Sequence, residues 1–150
     1  MKERVSEVFK KHNKPVTIKP ESTISEVVSL LNHHQIGCVV VMNEECIMGI
    51  ISERDILAKL GKTNTSENIH QLKVSDVMTQ RDELIVGNPE DTVEYLMNVM
   101  TEKQIRHIPI VIKGCNLIQL ISMRDIVRVL LKDSKMKIKY LTDYMQGTYI

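Results

Sequence analysis

The chain repeats itself at a nearly constant interval, and no other feature constrains its fold as tightly. Pro20-Glu21-Ser22-Thr23-Ile24 returns 69 residues later as Pro89-Glu90-Asp91-Thr92-Val93, and Ile51-Ser52-Glu53-Arg54-Asp55-Ile56 returns 70 residues later as Ile121-Ser122-Met123-Arg124-Asp125-Ile126. The lead-ins match as well, Arg4-Val5-Ser6-Glu7-Val8 against Lys73-Val74-Ser75-Asp76-Val77. Register held over such a stretch, with one residue inserted, means two copies of one folding unit and points to a site where the copies meet. A unit of roughly 70 residues is marginal alone, so each copy is expected to cover an apolar face of its twin.

Within each copy the periodicity changes in the same order. Ile24, Val27, Val28 and Leu31, and later Val93, Leu96, Met97 and Met100, fall at the i, i+3, i+4, i+7 spacing of an amphipathic helix. Thr23 with Glu26, and Asp91 with Glu94, stand at capping-box spacing at the helix starts, and the helices should end near Gln35 and Gln104. Two short β-branched runs around a polar turn follow in each copy, Cys38–Met42 with Ile47–Ile51 and His107–Ile112 with Leu117–Ile121, the pattern of an antiparallel hairpin. Pro109 lacks a donor and should lie at a strand edge or irregularity. A second helix is expected after Ser52 and after Ser122, and a short extended piece (Val16-Thr17-Ile18, Leu84-Ile85-Val86) precedes each first helix. The unit is therefore strand, helix, strand, strand, helix, in an α/β chain of the α+β type.

These boundaries give repeat one at about 5–61, a polar connector at about 62–72, repeat two at about 73–132 and a helical tail at about 134–150. The tail has no counterpart in the first copy and reads as a packing or dimer-contact element. Twenty Lys plus Arg against 19 Asp plus Glu leave no field to attract nucleic acid or an anionic membrane. No apolar run reaches membrane-span length, and the charged start is unlike a secretory leader, so a cytoplasmic location is expected. Cys38, Cys46 and Cys115 lack metal spacing, and their odd number favours reduced thiols. His33-His34 has no further ligands at suitable spacing, so no metal site is expected. The chain offers no nucleophile–base pair or phosphate-cradling glycine loop that would specify a reaction, so no catalytic residue is assigned.

Two strand-helix-strand-strand-helix copies, each closing on an apolar strand and Ser-x-x-Asp, resemble a tandem CBS-domain pair, or Bateman module. The resemblance rests on the order and spacing of Ile50-Ile51-Ser52-Glu53-Arg54-Asp55-Ile56, Val74-Ser75-Asp76-Val77-Met78-Thr79 and Ile105-Arg106-His107-Ile108-Pro109-Ile110. It covers nearly the whole chain, and the tail 144–149 looks like the end of small stand-alone bacterial members. It implies repeats packed through their sheets with pseudo-twofold symmetry and a regulatory rather than enzymatic role. It also implies clefts between the repeats that take an adenosine nucleotide (AMP, ADP or ATP), or else S-adenosylmethionine or NAD(H). The nucleotide, AMP or ATP foremost, would be a regulatory ligand with no cofactor required; a homodimer and an unidentified effector protein are implied too.

Each candidate contact has a plainer reading beside it. Ser52-x-x-Asp55 and Ser122-x-x-Asp125 can present a carboxylate to a ribose diol at a helix start, yet the same spacing makes an ordinary cap. Arg54 and Arg124 stand in first turns where a cation opposes the helix dipole, as phosphate contacts or as exposed ion-pair partners. By resemblance, Arg106 and His107 before Pro109 fall where basic phosphate contacts occur in the family, where the first copy has Gly37 and Cys38. Thr17 falls where the family places a nucleotide-touching hydroxyl, and the second copy has Val86 there, unable to donate or accept. The family analogy pairs Thr17 with Ser122, Arg124 and Asp125 in one cleft, and Ser52, Arg54 and Asp55 with Arg106 and His107 in the other. Val16, Ile18, Ile50, Ile85 and Leu120 are candidates to flank adenine or to be plain core. Gly49 is replaced by Gln119 in the second copy, and a ligand-free dimerisation or scaffolding module is the alternative function.

Overall fold

The computed structural model of the chain describes residues 2–9, 14–62, 68–132, 138, 139, 141, 142 and 146. In chain order the elements are α1 (Val5–Val8), β1 (Thr17–Ile18), α2 (Ile24–His34), β2 (Cys38–Asn43), β3 (Cys46–Ser52), α3 (Glu53–Lys62), β4 (Thr79–Gln80), α4 (Val93–Lys103), β5 (His107–Ile112), β6 (Asn116–Ser122) and α5 (Met123–Lys132), with single 3₁₀ turns at Ile69–Gln71, Val74–Asp76 and Arg81–Glu83. The repeated helix and hairpin thus recur as expected. α2 and α4 both stop at a left-handed glutamine, Gln35 at φ 52° and Gln104 at φ 55°. Both hairpin turns carry a left-handed residue at the matching position, Glu44 and Lys113.

Two compact units divide the chain and cut across the repeats. One gathers 1–10, 89–108 and 121–150; the other gathers 11–88 and 109–120. The cause is an exchange of lead-ins. Val74 and Ser75 donate their N–H groups to the carbonyls of Ser22 and Pro20 at 2.7 and 3.0 Å, and Ile24 donates to Leu72 at 3.0 Å. The same three bonds recur in the other unit, from Val5 to Asp91 at 2.8 Å, Ser6 to Pro89 at 3.0 Å and Val93 to Glu3 at 3.0 Å. Each copy's opening residues therefore cap the first helix of the other copy, and Val5 and Val74 are both fully buried. Beside the Val5–Asp91 junction Arg4 pairs with Glu90.

In the second unit the sheet runs in the order β1-β2-β3-β6-β5, with β4 also pairing β3. Val39, Val41 and Ile51 face α2 in one apolar cluster with Ile24, Val27, Ile69 and Val74. Val40, Ile47 and Val111 form a second cluster, joined by Ile50, Val86, Leu117 and Leu120. A register shift where Val41 faces Gly49 and Met42 faces Ile47 leaves Met48 as an extra residue. That bulge inverts the alternation of β3, which is why Ile47 and Ile51 belong to different clusters despite their even spacing. The first unit buries Val5, Phe9, Val93, Leu96, Met100, Ile108, Ile121 and Ile126.

Three expectations need correction. Leu84-Ile85-Val86 forms no strand; only Gly87 bridges in parallel to Ile110, because Gly87 donates to the Pro109 carbonyl at 2.9 Å and accepts from Val111 at 3.0 Å. The second-copy cap is Thr92, whose hydroxyl accepts from the Tyr95 N–H, one residue later than Asp91 with Glu94. Ile69, within the connector, enters the core behind an Asn68 cap. Finally, Cys46 and Cys115 are not free thiols but a disulfide, their Cα atoms 4.8 Å apart and their sequence separation 69. Cys46 opens β3, and Cys115 is the turn residue just before β6, so the bond joins the second strands of the two hairpins at their starts. Connector residues 63–67 and most of the tail 134–150 lie outside the described residues; Ile138 and Leu141 are helical and exposed.

Candidate functional site

Both Ser-x-x-Asp segments close the same local circuit at the end of an apolar strand. The Asp55 carboxylate accepts the Ser52 N–H at 2.9 Å and the Ser52 hydroxyl at 3.0 Å, while the Ser52 oxygen accepts the Asp55 N–H at 3.3 Å. At Ser122 and Asp125 the corresponding distances are 2.8, 2.8 and 3.2 Å. This reciprocal pattern is a helix cap. It engages Oδ2 of each aspartate and leaves the two Oδ1 atoms in different company. Asp55 Oδ1 accepts the Thr79 hydroxyl at 3.1 Å, a donor supplied by the second repeat. Asp125 Oδ1 faces Arg128 Nη1 at 4.0 Å, one turn along its own helix.

The residues before each hairpin sit against these caps. Gly37 accepts the Glu53 N–H at 3.0 Å, and Arg106 accepts the Met123 N–H at 2.8 Å. Cys38 is paired with Ser52 across the hairpin and is buried, only 2% exposed. Burial first, and the negative charge of Asp55 second, push its thiol up to about 12, so it stays neutral and is no nucleophile. Gly37, Cys38, Ser52 and Asp55 thus converge in one repeat, and Arg106, Ser122 and Asp125 in the other. Arg54, Arg106 and Arg124 are exposed, and His107 is half-buried at the start of β5.

The remaining expected contacts lie further along the sheet. Thr17 is exposed and pairs with Val40, while Ile18 is buried and pairs with Val41. Pro109 is buried in β5, the last strand of the sheet path, which fits its missing donor. Val86 packs with Ile50 and Leu120 on the Val40, Ile47 and Val111 cluster, so three apolar candidates drawn from both repeats share one wall. An open groove of about 760 Å³ runs along α2 between Ile18, Ser25, Glu26, Ser29, Leu30 and His33. Of the expected contacts it includes Ile18, but neither aspartate.

The CBS domain family model matches the chain twice, over residues 5–62 and 74–132. The chain belongs to the CBS-domain family. It is 35% identical over 135 residues to the mitochondrial CBS domain-containing protein CBSX3 of Arabidopsis thaliana, covering 86% of this chain but 63% of that relative's length. In structure it resembles a CBS-domain-containing protein of Agrobacterium tumefaciens, with TM-score 0.75 and 29% identity over 85% of this chain and 98% of the other. A CBS domain protein of Pyrobaculum aerophilum, crystallised in complex with AMP, shares the fold at TM-score 0.71 and 24% identity, covering 93% and 98% of the two chains.

The CBS pair brings two residues to the site that the sequence did not single out as contacts. Thr79 lies inside the recognised Val74–Thr79 segment, but only the lead-in exchange carries it across to Asp55. Gly49, which the second copy replaces with Gln119, has a specific neighbour: a Cβ there would overlap the Thr79 carbonyl oxygen. β4 pairs with β3 at Gly49–Gln80 and Ile50–Thr79, so the missing side chain is what lets the Thr79 hydroxyl reach the carboxylate. The available signal was Gly49 itself, a residue without a side chain in the apolar strand that leads into Ser52 and Asp55.

Proposed function

We propose that this CBS pair is a non-enzymatic regulatory module whose ligand is an adenosine nucleotide, AMP or ATP foremost, and that binding alters the activity of a partner protein. The observation that carries the reading is the Asp55 carboxylate, fixed at a helix start by Ser52 and reached from the other repeat by Thr79. A ribose diol competing for Oδ1 would replace the Thr79 hydroxyl and so bias the contact between the two repeats. Ile50, opposite Thr79 in the strand register, leads into the wall shared with Val86 and Leu120, an apolar surface suited to adenine. The AMP complex of the Pyrobaculum relative supports the ligand class. Exposed Arg54 and Arg124 supply candidate phosphate contacts beside each aspartate.

Thermal unfolding with AMP, ADP, ATP, NADH and S-adenosylmethionine tests this directly. A ligand at a hundred times its dissociation constant adds about 2.7 kcal/mol, or about 5 °C in Tm for a chain of this size. Asp55→Ala combined with Asp125→Ala should abolish the shift. A shift that survives in the double variant rejects the ribose role, and no shift from any of the five rejects the ligand class.

A second reading, a ligand-free dimerisation module, draws on the exposed apolar side chains of α3. Leu57 is 69% and Leu60 49% exposed. It predicts a homodimer whose mass is lost in Leu57→Glu, with no response to nucleotides.

A further inference from the structure

We propose that Cys46 and Cys115 form a reversible thiol–disulfide site that staples the hairpins of the two CBS repeats together. Cys46 is the first residue of β3 and Cys115 the residue just before β6, their Cα atoms 4.8 Å apart where the hairpins meet. Backbone support at this junction is thin: β3 and β6 register at Cys46–Asn116, and the Ile47 N–H donates to the Cys115 carbonyl at 3.0 Å. The covalent bond therefore falls beside the Cys46–Asn116 register pair of β3 and β6. Nearby, Arg81 Nη2 donates to the Gly114 carbonyl at 3.1 Å, tying the turn before Cys115 to the residues that follow β4.

The three thiols of the chain are chemically unequal. Cys46 and Cys115 are half-buried and adjacent, open to a small thiol reagent, whereas Cys38 is enclosed within β2 and held neutral. Thiol–disulfide exchange needs an accessible thiolate, so it selects the pair over Cys38. Oxidation by a small-molecule disulfide such as glutathione disulfide balances as two protein thiols and one RSSR giving the protein disulfide and two RSH. A low-molecular-weight dithiol reverses it. Closing a loop that spans the repeat removes much freedom from the unfolded chain, so the staple should act strongly on stability.

The full-length protein is equilibrated with glutathione disulfide or with dithiothreitol, then denatured and alkylated with iodoacetamide. The oxidised sample should carry one label, on Cys38, with a Cys46–Cys115 peptide in the digest; the reduced sample should carry three. The oxidised protein should melt higher by roughly 10 °C, and the shift should reverse on reduction. Cys46→Ser/Cys115→Ser should melt alike under both conditions; should that variant not fold, the two redox states of the unaltered protein still decide. Three labels after oxidation, a disulfide between two chains, or equal melting of the two states overturns the staple. None of these readouts needs a nucleotide, so failure of the ligand reading leaves this one separately testable.

Discussion

Gly49 lies against the backbone carbonyl of Thr79, with no room between them for a Cβ. A neighbour that is backbone cannot swing aside, so Gly49→Ala must lift β4 from β3. We expect a loss of about 1–3 kcal/mol, typical of overpacking a close contact, together with a stronger nucleotide response, because Thr79 no longer competes for Asp55 Oδ1. Urea denaturation with and without AMP checks both effects. Unchanged stability would show that β4 does not seat on β3 at this residue.

The two caps are alike except at Oδ1, and this separates capping from cross-repeat contact. Asp55→Ala and Asp125→Ala should each cost about 1 kcal/mol without any nucleotide, as lost helix caps. Asp55→Ala should cost more, because it also strands the Thr79 hydroxyl. Thr79→Val in a double-mutant cycle with Asp55→Ala should give a coupling of about 1 kcal/mol, whereas Thr79→Val with Asp125→Ala should be additive. Equal costs for the two aspartates would remove the cross-repeat bond from the account.

The raised thiol of Cys38 gives a pH signature. In the unfolded chain it ionises near 9.0, and in the fold near 12. Between those values the folded state holds a proton that the unfolded state has lost, so stability is intact below about pH 9 and falls as pH rises towards 12. Cys38→Ala should flatten that slope over this window, measured by denaturant melts from pH 8 to 10.5 under reducing conditions. An unchanged slope would assign the alkaline loss to other groups.

Most of this architecture was legible because it is local. The i, i+3, i+4 spacing of Ile24, Val27 and Val28 and the β-branched run Cys38–Met42 report helix and strand without knowledge of their neighbours. The missed features are long-range. Nothing in Leu84-Ile85-Val86 says that backbone pairing there shrinks to Gly87, since that depends on where Pro109 presents its carbonyl. Counting cysteines favoured free thiols, although Cys46 and Cys115 stand at the starts of the two second hairpin strands, and only the pairing of β3 with β6 brings them together. The Ser-x-x-Asp spacing likewise fixed the caps but not Thr79, which arrives through the exchanged lead-in.

That exchange predicts how the chain behaves when divided. A cut between Ser66 and Glu67 leaves α2 without the Val74 segment in one fragment and α4 without the Val5 segment in the other. Neither fragment alone should unfold cooperatively, and an equimolar mixture should regain a single cooperative transition and co-elute on size exclusion. Independent folding of either fragment would mean that the exchanged residues are dispensable.

The three matched bonds around Val5 and Val74 also fix the kinetic order of assembly. Were the copies separate molecules, the same clasp would demand a bimolecular encounter and would weaken on dilution. Tethered in one polypeptide, each segment meets its receptor at an effective concentration set by chain length alone, on the millimolar scale for a short flexible tether. Dimensional closure of the fold is thereby independent of how much protein the cell makes.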